Sequence, residues 1–519
     1  MFETYLNNRL FTLFICPLIL GSLTVFSFQP FNLSAINFFV LPIFFYLLVY
    51  IKKKSKSVYR KKPFKKNLFL FGTSFGFGYF ICGIYWITNS LTFDQNFKFL
   101  IPFALILIPL FLSLFFSLIT LIIGQYLNYN FSSILVLSSS LAISDYIRAK
   151  ILTGFPWNLW SYSFSWAIEL IQILNKIGLF AFNLLSITIF IIPAVIFFQI
   201  DLKKKIIILL LQVLLIFSLY IYGNHSLNQN KSLIESFEKF NIKVVSPNFN
   251  LEYGLSLNEI EKKLKSLIRY SDAQRNKKTI IIWPEGVFSG YNFSEILVFK
   301  KIFVENFTDN HFILFGINRL NKKKDGVYNS MLIVDKNLEI VQEYKKQKLV
   351  PFGEFLPFEK ILKSIGLKKI TEGHGSFLKG DNQNNLVIEN LNILPLICYE
   401  VIFPEFVQTS DPKTNIIINI SEDGWFGNSI GPSQHFSKAI FRAIENNTFL
   451  IRSTNRGISA IINNKGEIVK KLNPLEAGNI QLEVPLIRTN NKNKNDLIFF
   501  ILLITYIFII YFYKKNDTK

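Results

Sequence analysis

Leu391-Asn392-Ile393-Leu394-Pro395-Leu396-Ile397-Cys398-Tyr399-Glu400 is an apolar run, interrupted by Asn392 and Pro395, that ends on a thiol and an acid. A run of this length and character reads as a short buried strand from Leu391 to Ile397 that delivers Cys398 to its end. Strand ends are good places for a reactive thiol. Free cysteine is also among the most buried residue types and packs as a small hydrophobe, so the run by itself reads first as core. The other cysteines, Cys16 and Cys82, fall inside apolar stretches. No disulfide framework is open to the region around Cys398, which is a lone thiol.

Outward from this strand the chain is too apolar for one soluble domain: half of its 519 residues are hydrophobic and 56 are Phe. Membrane spans are expected. Up to residue 222, long apolar stretches alternate with short polar breaks, giving seven candidate spans near 10–28, 32–51, 68–90, 99–125, 131–147, 177–200 and 205–222. The fifth is Ser-rich and ends at Asp145 and Arg148. An eighth, Leu497 to Tyr513, precedes Lys514-Lys515. The run from Leu10 to Phe26 lacks a small-residue cleavage site and is followed by another apolar segment, so a retained span is expected rather than a signal peptide.

The formal charge of +21 could point to nucleic acid. Much of the lysine, however, lies beside apolar segments, in Lys52 to Lys66 and Lys203 to Lys205, as membrane topology requires. No RNA-stacking motif or zinc-finger spacing accompanies it, so nucleic acid is not an expected partner. These lysines and the C-terminal tail place both termini in the cytoplasm and the region between spans seven and eight outside. Arg148 and Lys150 then fall on the outer side, against the rule. The nearby cluster Gly154-Phe155-Pro156-Trp157-Asn158-Leu159-Trp160 reads as an interfacial aromatic belt or as a lipid-facing wall under an active site.

From Lys231 to Thr489 the pattern becomes a soluble α/β mixture. Strands are expected at Ile242–Val245, Thr279–Trp283, Phe312–Gly316, Asn415–Ile420, Thr448–Ser453 and Ile458–Ile462, with a helix over Leu257–Tyr270. Tyr328–Val334 and Leu338–Glu343 flank Asp335-Lys336-Asn337 and predict a hairpin. Strands alternating with helices argue one layered α/β domain. Asn490 to Asn495 reads as a linker.

Two more polar positions lie near strand ends in this domain. Glu285 follows Ile281-Ile282-Trp283-Pro284. It reads either as an acid at a helix N-terminus or as a general base against an apolar wall that includes Trp283. Lys346 lies in Tyr344-Lys345-Lys346-Gln347-Lys348, which reads first as a solvated cluster. The abrupt change to Leu349-Val350-Pro351-Phe352-Gly353-Glu354 is a stiff turn that would hold an ammonium and the Glu354 carboxylate in place. A thiol, a carboxylate and a lysine suffice for acyl transfer: the base takes the thiol proton, and the lysine with a backbone N–H stabilises the oxyanion.

Trp283-Pro284-Glu285, Lys346 through Pro351-Phe352-Gly353-Glu354, and Ile397-Cys398-Tyr399-Glu400 resemble the Glu-Lys-Cys motifs of the nitrilase (carbon-nitrogen hydrolase) superfamily. The longer forms are similar to one branch, the apolipoprotein N-acyltransferases. Asn419-Ile420-Ser421-Glu422-Asp423-Gly424-Trp425-Phe426-Gly427, Gly431-Pro432, Gln434-His435, Arg442-Ala443-Ile444-Glu445 and Arg452-Ser453-Thr454-Asn455-Arg456-Gly457 extend that match. Glu422 and Gly424 stand where the family usually has Asn and Ala. Ser246-Pro247-Asn248 replaces a Gln-x-Asn pattern, with no tryptophan after it.

The resemblance implies a membrane helical bundle of about eight spans carrying a nitrilase-like αββα sandwich. Residues 1–222 would form the N-terminal transmembrane domain, 231–489 the periplasmic catalytic domain and 497–513 the last helix of an inner-membrane protein. It implies Glu285 as base, Lys346 as oxyanion donor and Cys398 as nucleophile. Lys346 is preferred over Lys345 and Lys348 because it stands eight residues before Glu354, as the family pattern requires. Tyr399 would supply a backbone N–H, with Glu354, Glu400 and Trp283 in support. The partners implied are a phospholipid acyl donor and a diacylglyceryl apolipoprotein acceptor, without cofactor or metal. A tethered amidase that gives its thioester to water is the alternative, and a transporter with a decayed domain a weaker one, since few intramembrane charges outline a path. His435 is expected to be structural, and the four histidines are too scattered to hold a metal.

Overall fold

The computed structural model describes residues 6–55, 64–234, 238–321, 323, 326–360, 376–381, 385–408, 411, 413–487 and 495–517. The chain divides into two compact units, Met1–His225 with Lys494–Lys519, and Ser226–Asn493. Most of the expected 490–495 linker and His374 lie outside the described residues.

The first unit is helical. Its helices are α1 (Cys16–Leu23), α2 (Asn37–Ser55), α3 (Phe64–Ile84), α4 (Ile101–Ile123), α5 (Phe131–Lys150), α6 (Leu174–Ile191) and α7 (Leu202–Ile234), joined by Asn495–Asp517 from the far end of the sequence. Each expected span is built largely of helix, with breaks at 28, 32–33, 124–125 and 198–200. Among the described residues, six helices are long and apolar enough to cross a membrane: Ser34–Lys54, Phe64–Thr92, Gln95–Ile123, Leu174–Phe197, Leu202–Gln229 and Asp496–Tyr513. The first apolar stretch, Phe11–Ser27, is shorter and changes pitch twice, from π to α to 3-10. Helix α5 is too polar to pass by composition.

The polarity of α5 is turned inward. Arg148 Nη2 lies 2.8 Å from Asp145 Oδ1, and both side chains are buried. Asn183 of α6 donates to the other oxygen of Asp145 (2.9 Å) and accepts from the N–H of Ser161 (3.1 Å). Arg148 also donates to the carbonyl of Phe155 (2.5 Å). A charge buried away from water has to be paired, and here the pair also anchors the loop that follows. Arg148 is thus neutralised by Asp145, and Lys150 lies 3.6 Å from Asp496.

The aromatic loop is neither an interfacial belt nor a lipid-facing wall. Trp157 and Trp160 are each 1% exposed. Trp157 packs on Trp86 and Trp160 on Tyr79, whose hydroxyl donates to the carbonyl of Asn158. Small residues bring α3 and α4 close: a Cβ at Gly72 would meet Thr120 Oγ1 at 2.1 Å.

The second unit is a two-sheet sandwich. One sheet has the order β12-β1-β2-β3-β4-β5 and the other β11-β10-β9-β8-β7-β6. The strands of the first are β1 (Lys239–Ser246), β2 (Thr279–Ile282), β3 (His311–Leu320), β4 (Val327–Val334), β5 (Ile340–Lys345) and β12 (Gly478–Pro485). The second holds β6 (Leu386–Ile388), β7 (Leu391–Ile397), β8 (Ile416–Glu422), β9 (Phe449–Asn455), β10 (Ser459–Ile462) and β11 (Ile468–Leu472). Each sheet has a parallel centre, β1-β2-β3 and β7-β8-β9, with antiparallel flanks.

Alternation sorts the side chains. Ile280, Ile282, Leu314, Ile393, Ile397, Ile418 and Ile451 meet in the core between the sheets. Ile281, Trp283, Ile313 and Phe315 face the other way, joining Leu264 and Leu267 of α8 (Leu257–Ser271) and Phe303 of α9 (Lys300–Asn306) in a second core. Helix α8 starts in a capping box made by Ser256 and Glu259. Helix α10 (Gly431–Asn446) is buried along nearly its whole length.

Candidate active site

Strand β7 ends at Ile397 and the next residue turns sharply. Cys398 has φ 49°, left-handed backbone that a residue with a Cβ adopts only under constraint. The constraint is Glu400. Its fully buried carboxylate accepts from the N–H of Ile397 (2.8 Å), reaching back over the thiol, and from the Tyr344 hydroxyl (2.9 Å) and the N–H groups of Gln347 (2.7 Å) and Lys348 (3.1 Å). One side chain thus clips the β7 turn to the chain leaving β5. Burial pushes Glu400 up to about 7, partly opposed by these donors and Lys346.

The clipped segment carries Lys346. Its N–H donates to the carbonyl of Asn329 on β4 (2.9 Å), extending the β4–β5 ladder past Lys345. The side chain is 1% exposed, with Nζ 2.9 Å from Glu354 Oε1 and 3.7 Å from Glu285 Oε1. Burial by itself would lower this ammonium, but Glu354 and Glu285 reverse the effect and hold it well above the usual lysine value. Its neighbours are engaged elsewhere: Lys345 stacks on Tyr328, and Lys348 stacks on Phe403 and faces Glu405 at 3.9 Å. Glu354 closes the Val350–Glu354 turn on itself, its Oε2 accepting from Val350 N (2.9 Å).

Glu285 lies just past β2, after Trp283-Pro284, and is held from two sides. Asn329 Nδ2 donates to its Oε1 (2.7 Å) and to Glu354 Oε1 (2.8 Å), while the N–H of Glu422, at the end of β8, donates to its Oε2 (3.1 Å). Asn329 is the residue that sequence reasoning missed. Its only signal was an amide at an inward-facing position of a strand whose next inward residues are Met331 and Ile333. Trp283 is a correction: fully buried, it packs among Phe288, Phe303, Phe307 and Phe315 with its indole N–H on Ser271 (2.8 Å). It anchors the strand end from the helix side instead of walling the carboxylate.

Cys398 is half-buried against the core between the sheets. Burial raises its thiol well above the usual value and the Glu285 carboxylate adds to this, with Lys346 opposing. Tyr399 turns its ring onto Phe403 (4.9 Å).

Beneath the turn, Asp423 pairs with Arg452 (2.9 Å), His435 Nδ1 (3.0 Å) and the Ser421 hydroxyl (2.7 Å). Burial alone would raise Asp423, but Arg452 and His435 bring it down to about 2. Burial and the neighbouring guanidinium lower His435 to about 4. Arg452 also holds Asn419, whose amide donates to the carbonyl of Leu396 (3.0 Å), two residues before the thiol. His435 has Asp423 and Arg452 as partners, which suits a structural part.

A buried lysine flanked by two carboxylates, beside a strained strand-end thiol, can move a proton off sulfur and stabilise an oxyanion. Residues 248–491 match the carbon-nitrogen hydrolase family and residues 20–192 the apolipoprotein N-acyltransferase N-terminal domain. The chain is 34% identical over 514 residues to apolipoprotein N-acyltransferase of Rickettsia typhi, covering 96% of this chain and 99% of that one. It is 33% identical over 504 residues to the Rickettsia prowazekii enzyme of the same name (96% and 97%) and 30% identical over 473 to that of Rhodopseudomonas palustris (88% and 87%). Among solved structures, Saccharomyces cerevisiae Nit3, of the nitrilase superfamily, aligns at 15% identity over 48% of this chain and 90% of its own, with TM-score 0.35. The chain belongs to the apolipoprotein N-acyltransferase family.

Proposed function

We propose that this membrane protein moves an acyl chain from a phospholipid, through a thioester on Cys398, to the N-terminal diacylglyceryl-cysteine of apolipoproteins. The observation that carries the reading is the buried Lys346, 2.9 Å from Glu354 and 3.7 Å from Glu285, clipped by Glu400 to the Cys398 turn. Glu285 takes the thiol proton as sulfur attacks the ester carbonyl carbon. Lys346 Nζ and the N–H of Tyr399 receive the developing oxyanion. Collapse expels the lysophospholipid alkoxide, which takes the proton from Glu285. The α-amine of the acceptor then attacks the thioester and Glu285 accepts its proton. Collapse forms the amide and expels the sulfur, which takes the proton back from Glu285 to restore the thiol, giving ping-pong kinetics. Glu354 holds Lys346 in line, and Asn329 bridges Glu285 and Glu354 with one amide nitrogen, easing their mutual repulsion.

In this reading residues 1–222 and 497–513 anchor the enzyme in the inner membrane. Residues 231–489 lie on the periplasmic side and both termini in the cytoplasm, as the lysines at 52–66, 203–205 and 514–515 require. Both substrates are then lipids that reach the thiol laterally, and limited water access protects the thioester. Hydrolysis of the acyl-enzyme, as in an amidase, is not favoured.

The test is direct. Purified protein with labelled phospholipid and a diacylated lipopeptide should yield lysophospholipid and a triacylated peptide by mass spectrometry. Free fatty acid without triacylated peptide would replace transfer by hydrolysis. A Cys398→Ala variant that still made the product would remove Cys398 from the mechanism.

A further inference from the structure

We propose that Glu422 is a positioning residue for the base Glu285: an uncharged carboxylic acid, seated between Gly286 and Gly424, that the site needs in its protonated form. This rests on the acyl-transfer reading of Glu285. Glu422 closes β8 and its own N–H holds Glu285 Oε2 at 3.1 Å. The backbone of Glu422 is thus a direct hydrogen-bond donor to the base, and its side chain is seated on the same turn.

The seat is sterically specific. A Cβ on Gly286 would stand 2.9 Å from Glu422 Oε2, and one on Gly424 would stand 2.6 Å from Oε1, closer than carbon and oxygen approach. The carboxyl therefore fits only because both neighbours are glycine. Positions 422 and 424 are sterically coupled: the Glu422 carboxyl occupies the space that a methyl at 424 would fill.

The charges around the seat leave no room for another anion. From the end of β2 comes Glu285, and from the turn after β8 comes Asp423, already committed to Arg452 and His435. From β9, Asn455 Nδ2 donates to Glu422 Oε2 (2.7 Å), and Gly424 N donates to Oε1 (2.8 Å). Arg456, beyond β9, turns its guanidinium to Asn250 Oδ1 (2.5 Å) on the β1 side. Among the described residues no cation pairs with Glu422, which is 3% exposed. A buried carboxyl with two neutral donors and two anionic neighbours keeps its proton. Burial, with Glu285 and Asp423 adding to it, places its loss near pH 8. Above that pH a carboxylate forms beside the base, and repulsion drives Glu285 from the geometry in which it reaches the thiol.

The experiment is single-turnover release of lysophospholipid from labelled phospholipid at pH 7 and 9, for the wild type and Glu422→Gln. The wild-type rate should fall about tenfold between the two, as expected for a group titrating near 8. In Glu422→Gln the ratio should return to within about twofold of one. An unchanged fall in Glu422→Gln overturns the inference while leaving acyl transfer intact. Absence of lysophospholipid release by the wild type at either pH overturns the acyl-transfer reading instead. Thermal unfolding then decides Glu422 without activity. The wild type should lose more stability than Glu422→Gln between pH 6 and 9, and equal losses overturn the protonated acid. The seat has its own test: Gly424→Ala should lower the melting temperature in the wild type and not in Glu422→Asn, and equal drops overturn the steric coupling.

Discussion

Lys346 and Glu354 form an ion pair of 2.9 Å with side chains 1% and 8% exposed. A pair this buried is costly to break from one side, because the surviving charge has no water to turn to. Lys346→Met should destabilise the second unit by about 3–5 kcal/mol, read by denaturant unfolding in detergent. Thioester formation should fall on the order of 100- to 1000-fold, as for loss of an oxyanion donor. Lys345→Met and Lys348→Met, which touch Tyr328 and Phe403 instead, should each stay within about threefold of the wild-type rate, since exposed pairs and stacks contribute little. A larger loss at Lys345 than at Lys346 would reassign the lysine.

Asn329 makes a second prediction, since its one amide nitrogen serves Glu285 and Glu354 at once. Asn329→Leu removes both donors and should cost about 1–3 kcal/mol of stability with a clear loss of rate. Asn329→Asp keeps the shape and adds a third carboxyl to the cluster. If electrostatics governs, the Asp variant is the slower of the two at pH 8 and recovers at pH 5; if shape governs, Leu is slower at both.

The extent of what the sequence discloses follows from which contacts are local. Strand β7 and its thiol are legible because the apolar run is continuous and its end is polar. Three other strands were not. β6 is only Leu386–Ile388, β11 is largely exposed, and β12 finds its partner β1 across more than two hundred residues, leaving no local trace of pairing. Glu285, Lys346 and Cys398 come from β2, β5 and β7, and spacing does not bring them together; motif likeness did. The aromatic loop failed for the opposite reason. Tryptophan is at home at a membrane interface, and only the Asp145–Arg148–Asn183 knot reveals that Trp157 and Trp160 turn inward.

Cys398 provides a prediction independent of activity. Its φ of 49° places a Cβ where L-residues pay about 1 kcal/mol or more. Cys398→Ala and Cys398→Gly both remove the sulfur, but only glycine relieves the backbone. The Gly variant should therefore be the more stable inactive protein by about 1 kcal/mol in denaturant. Equal stability would mean the turn relaxes when the thiol is lost.

The network under the thiol makes the protein acid-labile in a defined order. His435 is lowered from 6.5 to about 4 and Asp423 from 3.8 to about 2. In each case the unfolded chain takes up its proton first as the pH falls, so the unfolded state binds more protons across the window and stability drops. His435 acts between pH 6.5 and about 4, and Asp423 between 3.8 and about 2, where its share is roughly 2 kcal/mol. His435→Gln replaces the titrating ring by an amide that can still donate to Asp423. It should flatten the stability curve above pH 4 and leave the steeper loss below it. Arg452→Met strips Asp423 of its largest counter-charge and should destabilise at pH 7 while shrinking the further loss below pH 4. Melting curves at half-unit steps from pH 7 to 3 separate the two, and a His435→Gln curve parallel to the wild type would mean the ring is already charged in the folded protein.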